Sequence, residues 1–291
     1  MTTAAPRTYE IDVEDREYLR HGDTPLLARI FKPRGEGPFP LVIELHGGAW
    51  CRDDRLSDSM INEPVARSGV VVASLDFRMP PVAPYPASLA DINYAIRWFK
   101  TQSTALGSRS DLVALMGTSS GAHQAMLAAM RPRDARYAAI PLAAGLPAVD
   151  ATVRAVVLCW PVIDPLGRYT YAKALKASGR PYPDVIDRVL PAHDQFWGTE
   201  EAMAEGAPAR AIERGERVEL PPALYLQGTG DVAHPRADLD RFVAAYRSAG
   251  GEVELELYDG EAEGFVKKSP SSPASQRAIA RIIEFVHKRI W

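Results

Sequence analysis

One serine in this sequence has the surroundings of a nucleophile. It lies in Gly117-Thr118-Ser119-Ser120-Gly121, which matches the pattern G-x-S-x-G. The largely apolar run before it, 111–116, predicts a buried strand, and the Ala-, Leu- and Met-rich run after it, 122–130, predicts a helix. So sharp a turn holds the serine hydroxyl out in solvent, and it needs glycines because a Cβ would clash there. The pattern predicts that Ser119 is a catalytic nucleophile; a chance match in a loop is the alternative.

A second glycine-rich turn can supply hydrogen-bond donors to the same reaction. His46-Gly47-Gly48-Ala49-Trp50 directly follows 41–45, another predicted buried strand. Attack on a carbonyl group builds negative charge on its oxygen, which preorganised N–H groups stabilise. Gly47 and Gly48 allow close backbone approach to a ligand, and the N–H of Ser120 lies at a helix start that favours anions. These three residues are candidates for an oxyanion hole that binds substrate, with a plain turn as the alternative for the glycines.

A third motif, Gly228-Thr229-Gly230-Asp231, follows the predicted strand 223–227. A carboxylate there could orient a histidine and stabilise its imidazolium form. With the three motifs in this order, the sequence resembles the α/β-hydrolase superfamily. Within that superfamily it looks most like the esterases with an H-G-G-x-W oxyanion loop, in the hormone-sensitive-lipase-like and feruloyl-esterase-like groups. The resemblance extends from about Leu41 to the C-terminus, and it implies that Asp231 is the acid of a catalytic triad.

The histidine that this resemblance implies is missing from its usual place. In the resembling esterases the last strand is followed by H-G-F or H-x-F, whereas here Glu263 precedes Gly264-Phe265. A carboxylate with a pKa of ~4 is a poor base for a serine hydroxyl compared with imidazole. Beside Asp231, Glu263 would form a like-charge pair in which one carboxyl group takes up a proton more readily. Glu263 therefore suits acid/base chemistry or hydrogen-bond donation better than serine activation.

Another histidine could replace the missing base. The chain has six histidines, and His234 is the best candidate because it follows Asp231 by three residues on the loop at the predicted active edge. The alternative is a surface histidine that precedes a helix starting at Pro235. His123 lies one helical turn beyond Ser119, where a packing or capping role is the favoured interpretation. The remaining four are expected to stay outside the chemistry: His21, His46, His193 and His287.

The elements around these motifs alternate between strand and helix. Residues 8–32 predict an antiparallel hairpin with its turn at His21-Gly22-Asp23. The later strands are near-continuous apolar runs separated by single helices, which predicts buried, parallel pairing with right-handed crossovers. Together with the resemblance, this predicts an α/β-hydrolase fold with a mostly parallel eight-stranded sheet flanked by helices. The further strands are expected at residues 70–76, 153–160 and 253–258, and a closing amphipathic helix at 273–290.

The segment 161–221 interrupts this alternation. It mixes proline, glycine, aromatic and charged residues, with helical stretches such as 171–177, and it is too long for a plain connector. We expect a single domain over residues 1–291, in which 161–221 is an inserted cap over the carboxyl edge of the sheet.

Composition narrows the classes of function. The 291 residues are 46% hydrophobic and 24% charged, with a net charge of −3 and both signs interspersed. This argues against a nucleic-acid-binding face or a polybasic membrane patch. Residues 1–10 lack the apolar core of a signal peptide, and no apolar run reaches the ~20 residues of a membrane span. We expect a cytoplasmic protein that acts on a small molecule without a cofactor or metal, and that could form a homodimer.

Three functions are compatible with these residues. The first is a serine hydrolase that cleaves carboxylic esters of small or medium acyl groups through a Ser119 acyl-enzyme, with His234 or Glu263 as base. The second is non-hydrolytic acid/base chemistry with Glu263 on the same scaffold, as in a lyase, decarboxylase or isomerase. The third is a catalytically lapsed binder of small molecules, and the retained serine turn argues against it. The ordered motifs favour the hydrolase.

Overall fold

An eight-stranded sheet forms the centre of the computed structural model, which describes residues 8–291. Neighbouring strands pair in the order β1-β2-β4-β3-β5-β6-β7-β8. The two N-terminal strands are antiparallel to their neighbours, and all other pairs are parallel, as predicted. The strands are β1 Ile11–His21, β2 Thr24–Pro33, β3 Phe39–Leu45, β4 Val71–Leu75, β5 Ser108–Thr118, β6 Ala155–Cys159, β7 Ala223–Gly228 and β8 Val253–Tyr258.

Eleven helices connect and cover these strands within residues 8–291. They are α1 Ser59–Arg67, α2 Ala87–Thr101, α3 Ser103–Leu106, α4 Ser120–Met130, α5 Pro165–Ala177, α6 Val185–Trp197, α7 Glu200–Glu205, α8 Pro208–Glu213, α9 Arg236–Ser248, α10 Phe265–Lys268 and α11 Pro273–Ile290. In this described range no helix combines the length and the hydropathy that a membrane span requires. The expectation about a signal peptide falls largely on residues 1–7, which lie outside the described residues.

Strand β3 shows why the sheet is covered on both faces. All seven of its residues are buried. Successive side chains of a strand point to opposite faces, so Ile43 packs into the core layer that includes α2 and α4. Val42 packs into the layer that includes α1 and α11. A strand buried on both faces must be apolar at nearly every position, which is the pattern that the sequence shows.

The predicted elements agree closely with the observed ones. The hairpin turns at Gly22 as expected, and β8 and α11 have the predicted bounds. The strand predicted at 111–116 is longer at both ends, because β5 begins at Ser108 and ends directly at the serine turn. The short helices α3 and α10 were not predicted, since four residues are too few to show a helical period.

The segment between β6 and β7 contains the four helices α5, α6, α7 and α8. Side chains of α5 and α6 line a cavity that also contains Ser119. Below them, Trp50 packs with Phe196 and Trp197 from the end of α6 in a separate apolar cluster. The segment therefore lies against the loops in which the chemical residues were predicted.

Candidate active site

The turn between β5 and α4 places Ser119 in a strained conformation. Its φ is +50°, a region that side chains other than glycine rarely occupy. A Cβ on Gly117 would come within 2.6 Å of the Ala122 nitrogen, and one on Gly121 within 2.0 Å of the Leu45 carbonyl oxygen. Both flanking positions therefore require glycine because backbone atoms approach too closely for any side chain.

The hydroxyl of Ser119 does not project into open solvent, which corrects one expectation from the sequence. The residue is only 9% exposed. It lines a cavity of about 180 Å³, and α5 and α6 form much of the opposite wall. The inserted segment explains the difference, because the expectation considered only the turn itself. The residues around the cavity include Gly48, Arg168, Val189, His234 and Glu263.

Ser119, His234 and Asp231 form a hydrogen-bonded chain. The Ser119 Oγ lies 3.4 Å from Nε2 of His234, and Nδ1 of the same ring lies 2.8 Å from Oδ2 of Asp231. An ionised carboxylate only accepts hydrogen bonds, so Nδ1 donates to it and Nε2 keeps its lone pair toward the serine. The 3.4 Å separation is long, and such contacts commonly tighten when substrate binds.

Asp231 is held by its neighbours in the ionised form. Its Oδ1 accepts hydrogen bonds from the backbone N–H groups of Ala233 and His234, at 2.9 and 3.0 Å. Burial raises the pKa of this carboxyl group, but the His234 charge, its ring hydrogen bond and the two backbone donors outweigh burial and leave the pKa below its usual value. This arrangement keeps the His234 ring in one orientation.

Glu263 does not join this chain, although it lines the same cavity. Its side chain is 33% exposed, and its carboxylate lies 3.5 Å from Nζ of Lys268. Within residues 8–291 it makes no hydrogen bond to Ser119, His234 or Asp231. The expected like-charge pair with Asp231 gains no support, because the Glu263 carboxylate is paired with Lys268 and the pKa of Asp231 is lowered rather than raised.

The predicted oxyanion loop lies beside the serine. A Cβ on Gly47 would be 3.4 Å from the Ser119 Cβ, and one on Gly48 would be 2.1 Å from the Arg52 carbonyl oxygen. Gly48 also has a φ of +87°, so only glycine fits there without strain. The backbone N–H of Trp50 donates to Oγ of Ser120 at 3.0 Å. This bond fastens the loop to the start of α4.

His123 supports the loop and stays away from the serine. Trp50 Nε1 donates to its Nδ1 at 3.3 Å, and its Nε2 donates to the Gly206 carbonyl oxygen at 2.8 Å. Burial lowers the pKa of His123 to about 4, so it is neutral at pH 7. The Trp50 ring stacks on Phe196 with a centroid distance of 5.3 Å. His123 is thus a packing residue, as the sequence favoured, and Trp50 packs beside it.

Arg168 is a site residue that the sequence analysis missed. It is 3% exposed, and its Nη1 donates toward Nε2 of His234 at 3.4 Å. Its guanidinium carbon lies 5.2 Å from the centre of the Trp50 ring. Burial lowers the pKa of Arg168 to about 10, so the side chain is still charged at neutral pH. Its position could have been inferred from helical spacing, because Pro165, Arg168 and Ala172 share the buried face of α5.

The half-buried carboxyl group of Asp238, which lies close to His234, has a strongly raised pKa. Burial, followed by the charge of Asp164, raises the pKa of Asp238 from 3.8 to about 7. The folded protein therefore holds a proton that the unfolded chain releases, and the free energy of unfolding falls as pH rises from about 4 to 7. Asp238→Asn removes this dependence, and we expect it to stabilise the protein by on the order of 1–2 kcal/mol at pH 8.

Urea denaturation at pH 5 and pH 8 tests the role of Asp238. The stability difference between variant and wild type should be larger at pH 8 than at pH 5. The exposed Asp240→Asn substitution on the same helix is the matched control, since that side chain is 56% exposed. Equal differences at the two pH values would contradict the assignment.

Metal binding finds no support in the arrangement of side chains. In residues 8–291, no group of three or more His, Cys, Asp or Glu residues is placed to hold a metal ion.

Known proteins with similar sequences include several esterases and a dehydratase. The dehydratase, 2-hydroxyisoflavanone dehydratase of Glycyrrhiza echinata, is 25% identical over 312 residues, covering 97% of this chain and 88% of that protein. The chain is 27% identical over 257 residues to esterase LipC of Mycobacterium tuberculosis, covering 86% of this chain and 59% of LipC. It is 27% identical over 288 residues to carboxylesterase NlhH of the same organism, covering 94% of this chain and 81% of NlhH. The chain thus spans less than two thirds of LipC and most of NlhH.

Fold and family are established by two further comparisons. The esterase of Pyrobaculum calidifontis superposes with a TM-score of 0.76 at 24% identity, over 96% of this chain and 85% of that one. This likeness shows that the fold is that of an α/β-hydrolase. The model of the BD-FAE family matches residues 29–179, which is more than half of the sequence and includes both glycine-rich motifs around Gly48 and Ser119. The chain is therefore a member of the BD-FAE family within the α/β-hydrolase superfamily.

Proposed function

We propose that this protein hydrolyses carboxylic esters of small or medium acyl groups through a covalent acyl-enzyme on Ser119. The observation that supports this most directly is the chain of contacts from the Ser119 hydroxyl through His234 to Asp231. Relatives named esterase and carboxylesterase, LipC and NlhH, support the same reaction class. Lyase-type chemistry with Glu263 is not favoured, because its carboxylate is paired with Lys268, although one relative is named 2-hydroxyisoflavanone dehydratase.

In this mechanism the Ser119 Oγ attacks the ester carbonyl carbon while Nε2 of His234 accepts its proton. Asp231 keeps the imidazole oriented and stabilises its protonated form. The C–O bond to the alcohol then breaks, and the alcohol oxygen takes the proton from His234. Water next attacks the acyl-enzyme while His234 accepts a proton from the water. The bond between the acyl carbon and Ser119 Oγ then breaks, Oγ takes the proton back from His234, and the acid leaves.

The backbone N–H groups of Gly47, Gly48 and Ser120 stabilise the oxyanion in both tetrahedral intermediates. Each such donor contributes about 3 kcal/mol to transition-state stabilisation in serine hydrolases. The bond from Trp50 to the Ser120 hydroxyl supports this role, since it fixes the loop relative to the N-terminus of α4. The helix dipole favours a negative charge at the same end.

The inserted segment limits the size of the substrate. We infer that residues 161–221 form a cap, because α5 and α6 supply much of the cavity wall. The cavity of about 180 Å³ is smaller than the ~300–1,000 Å³ typical of sites for drug-sized ligands. Small acyl groups fit this volume. The cytoplasmic location and the homodimer stay predictions from the sequence.

Active-site labelling tests the proposal. The folded protein should react with a fluorophosphonate at one residue, and peptide mass spectrometry should place the adduct on Ser119. Protein unfolded in urea is the control and should remain unlabelled, because the nucleophile depends on His234 being in place. An adduct on any other residue, or none on the folded protein, would contradict the acyl-enzyme mechanism.

A further inference from the structure

Arg168 is a buried cation inside the active-site cavity. It is 3% exposed, it lines the cavity with Ser119, and its Nη1 lies 3.4 Å from Nε2 of His234. Its Nε and Nη2 atoms have no hydrogen-bond partner within residues 8–291. Burying a charged group without a partner is costly, so such groups are normally paired. Arg168 therefore resembles the cation of an ion pair whose anion is missing from the described residues.

The carboxylates around Arg168 are engaged elsewhere. Asp164 accepts from Nε of Arg210 at 2.9 Å and from Nη1 of Arg241 at 3.1 Å. Asp231 receives the His234 ring, and Glu263 is paired with Lys268. Asp238 lies against the backbone of Gly167, and no ion pair joins it to Arg168 in the described part of the chain. Within residues 8–291 no carboxylate thus forms a direct ion pair with this guanidinium, although the charges of Glu263, Asp231 and Asp238 act on it from a distance.

The two unpartnered atoms of Arg168, Nε and Nη2, are those that form bidentate hydrogen bonds to a carboxylate. Nε and Nη2 lie on one edge of the planar guanidinium, and their hydrogens point in parallel. Arg29 uses the same edge elsewhere in this protein, where its Nε and Nη2 contact the two oxygens of Asp15 at 2.9 and 3.0 Å. Arg168 has the same edge, which is buried at the cavity wall and has no hydrogen-bond partner within residues 8–291.

We propose that Arg168 binds a carboxylate carried by the ester substrate, close to the scissile bond. This inference rests on the proposed esterase function and specifies its substrate class. Ser119 Oγ and Arg168 Nη1 are each 3.4 Å from the same nitrogen of His234. A carboxylate bound to Arg168 therefore lies only a few bonds from the carbonyl under attack. Suitable substrates are half-esters of short dicarboxylic acids, or acyl esters of short hydroxy acids.

A substrate carboxylate would also assist the chemistry. Proton transfer from Ser119 creates an imidazolium ion on His234, directly beside the guanidinium of Arg168. Like charges at this distance oppose each other, and a bound carboxylate offsets that repulsion. In addition, Arg168 Nη1 and the Ser119 hydroxyl both point at the Nε2 lone pair. The lone pair is left to the serine where the bound carboxylate draws the guanidinium away from His234.

Paired substrates test the inference. On the acyl side, mono-p-nitrophenyl succinate is compared with p-nitrophenyl 4-methylpentanoate, a neutral ester of the same shape. On the alcohol side, O-acetylglycolate is compared with isobutyl acetate. The wild type should prefer the charged member of at least one pair, and the pair identifies which side of the ester bears the carboxylate. Arg168→Met should lower this charged-to-neutral ratio of kcat/KM about 10- to 100-fold, the value of a charge-assisted hydrogen-bonded pair.

Two further variants separate this role from simpler ones. Arg168→Lys keeps the charge but loses bidentate hydrogen bonding. Its charged-to-neutral ratio of kcat/KM should therefore lie between those of the wild type and Arg168→Met. If Arg168→Met does not fold, the Arg168→Lys variant tests by itself whether Arg168 binds the substrate carboxylate. Arg188→Met removes the same charge from the exposed rim of the cavity, and solvent screening should limit its effect on the ratio to about threefold.

Several results would overturn the inference. An Arg168→Met ratio equal to that of the wild type would show that the guanidinium acts on all esters alike, for example at the oxyanion. If Arg188→Met lowered the charged-to-neutral ratio as much as Arg168→Met does, the preference would arise from the overall positive charge around the cavity and not from Arg168 itself. Binding is measured separately by calorimetry with monomethyl succinate and the Ser119→Ala variant. If the wild type hydrolyses no ester, the proposed function fails, and loss of this binding in Ser119→Ala/Arg168→Met still supports the carboxylate site.

Discussion

Replacing Ser119 with alanine should lower kcat/KM for p-nitrophenyl acetate by about 10⁵-fold or more. The Oγ is the atom that forms the acyl-enzyme, and no neighbouring side chain is placed to take over. Thr118 directs its hydroxyl to Asp58 at 3.0 Å, on the other side of the turn. Spectrophotometric release of p-nitrophenol measures the loss, and the melting temperature confirms that the variant is folded.

Ser120→Ala is the matched control for this prediction. The side chain of Ser120 accepts a hydrogen bond from Trp50, whereas its proposed catalytic group is the backbone N–H, which alanine retains. We expect a loss of about tenfold at most, since one neutral hydrogen bond is worth about 1 kcal/mol. A Ser119→Ala variant with more than about one per cent of wild-type activity would show that the acyl-enzyme route is not the main one.

Replacing His234 with glutamine should lower kcat/KM by about 10⁴-fold or more, because an amide cannot accept the serine proton. Glu263→Gln should change kcat/KM by less than about fivefold, since its carboxylate is partly exposed and paired with Lys268. Both variants are assayed with p-nitrophenyl acetate, and the rate of fluorophosphonate labelling gives a second measure of nucleophile activation.

The pair of variants decides which residue is the base. A large loss in Glu263→Gln with a small one in His234→Gln would assign the base to Glu263 and reverse the interpretation of the site. The double variant Ser119→Ala/His234→Gln adds a further check. Its activity should be about that of Ser119→Ala alone, because groups that act in one step are not additive.

Much of the fold could be predicted because parallel strands buried on both faces leave a simple apolar pattern. The strand that ends at Ser119 and the helix that follows it were visible from residue types alone, and so was the need for glycine at 117 and 121. The four helices of the inserted segment were only partly visible. Two of them, α7 and α8, have only six residues each, which is too short to show a helical period.

The base could not be chosen from the sequence because the decision depends on distances between neighbouring loops. His234 follows β7 and Glu263 follows β8, and both strands end at the same edge of the sheet. The turn at Gly264, with a φ of +69°, starts α10 and brings Lys268 back to Glu263. A local pattern contains no information about which of two adjacent loops reaches the serine.

Arg168 was missed for a different reason. Arg168 is unusual because no carboxylate contacts it within the described residues. This can be recognised only when the positions of all the surrounding carboxylates are known. The helical spacing with Pro165 and Ala172 indicated a buried face, but arginine on such a face is usually paired.

Asp231 and His234 lie on one short loop, three residues apart, and this closeness affects how such proteins can diverge. In the proposed assignment, acid and base are inherited together as a single tetrapeptide. The loop between β8 and α10, which in the resembling esterases carries the histidine, can then accumulate substitutions without loss of activity. A sequence search that requires a histidine in the loop after β8 would wrongly classify active members of the family as inactive.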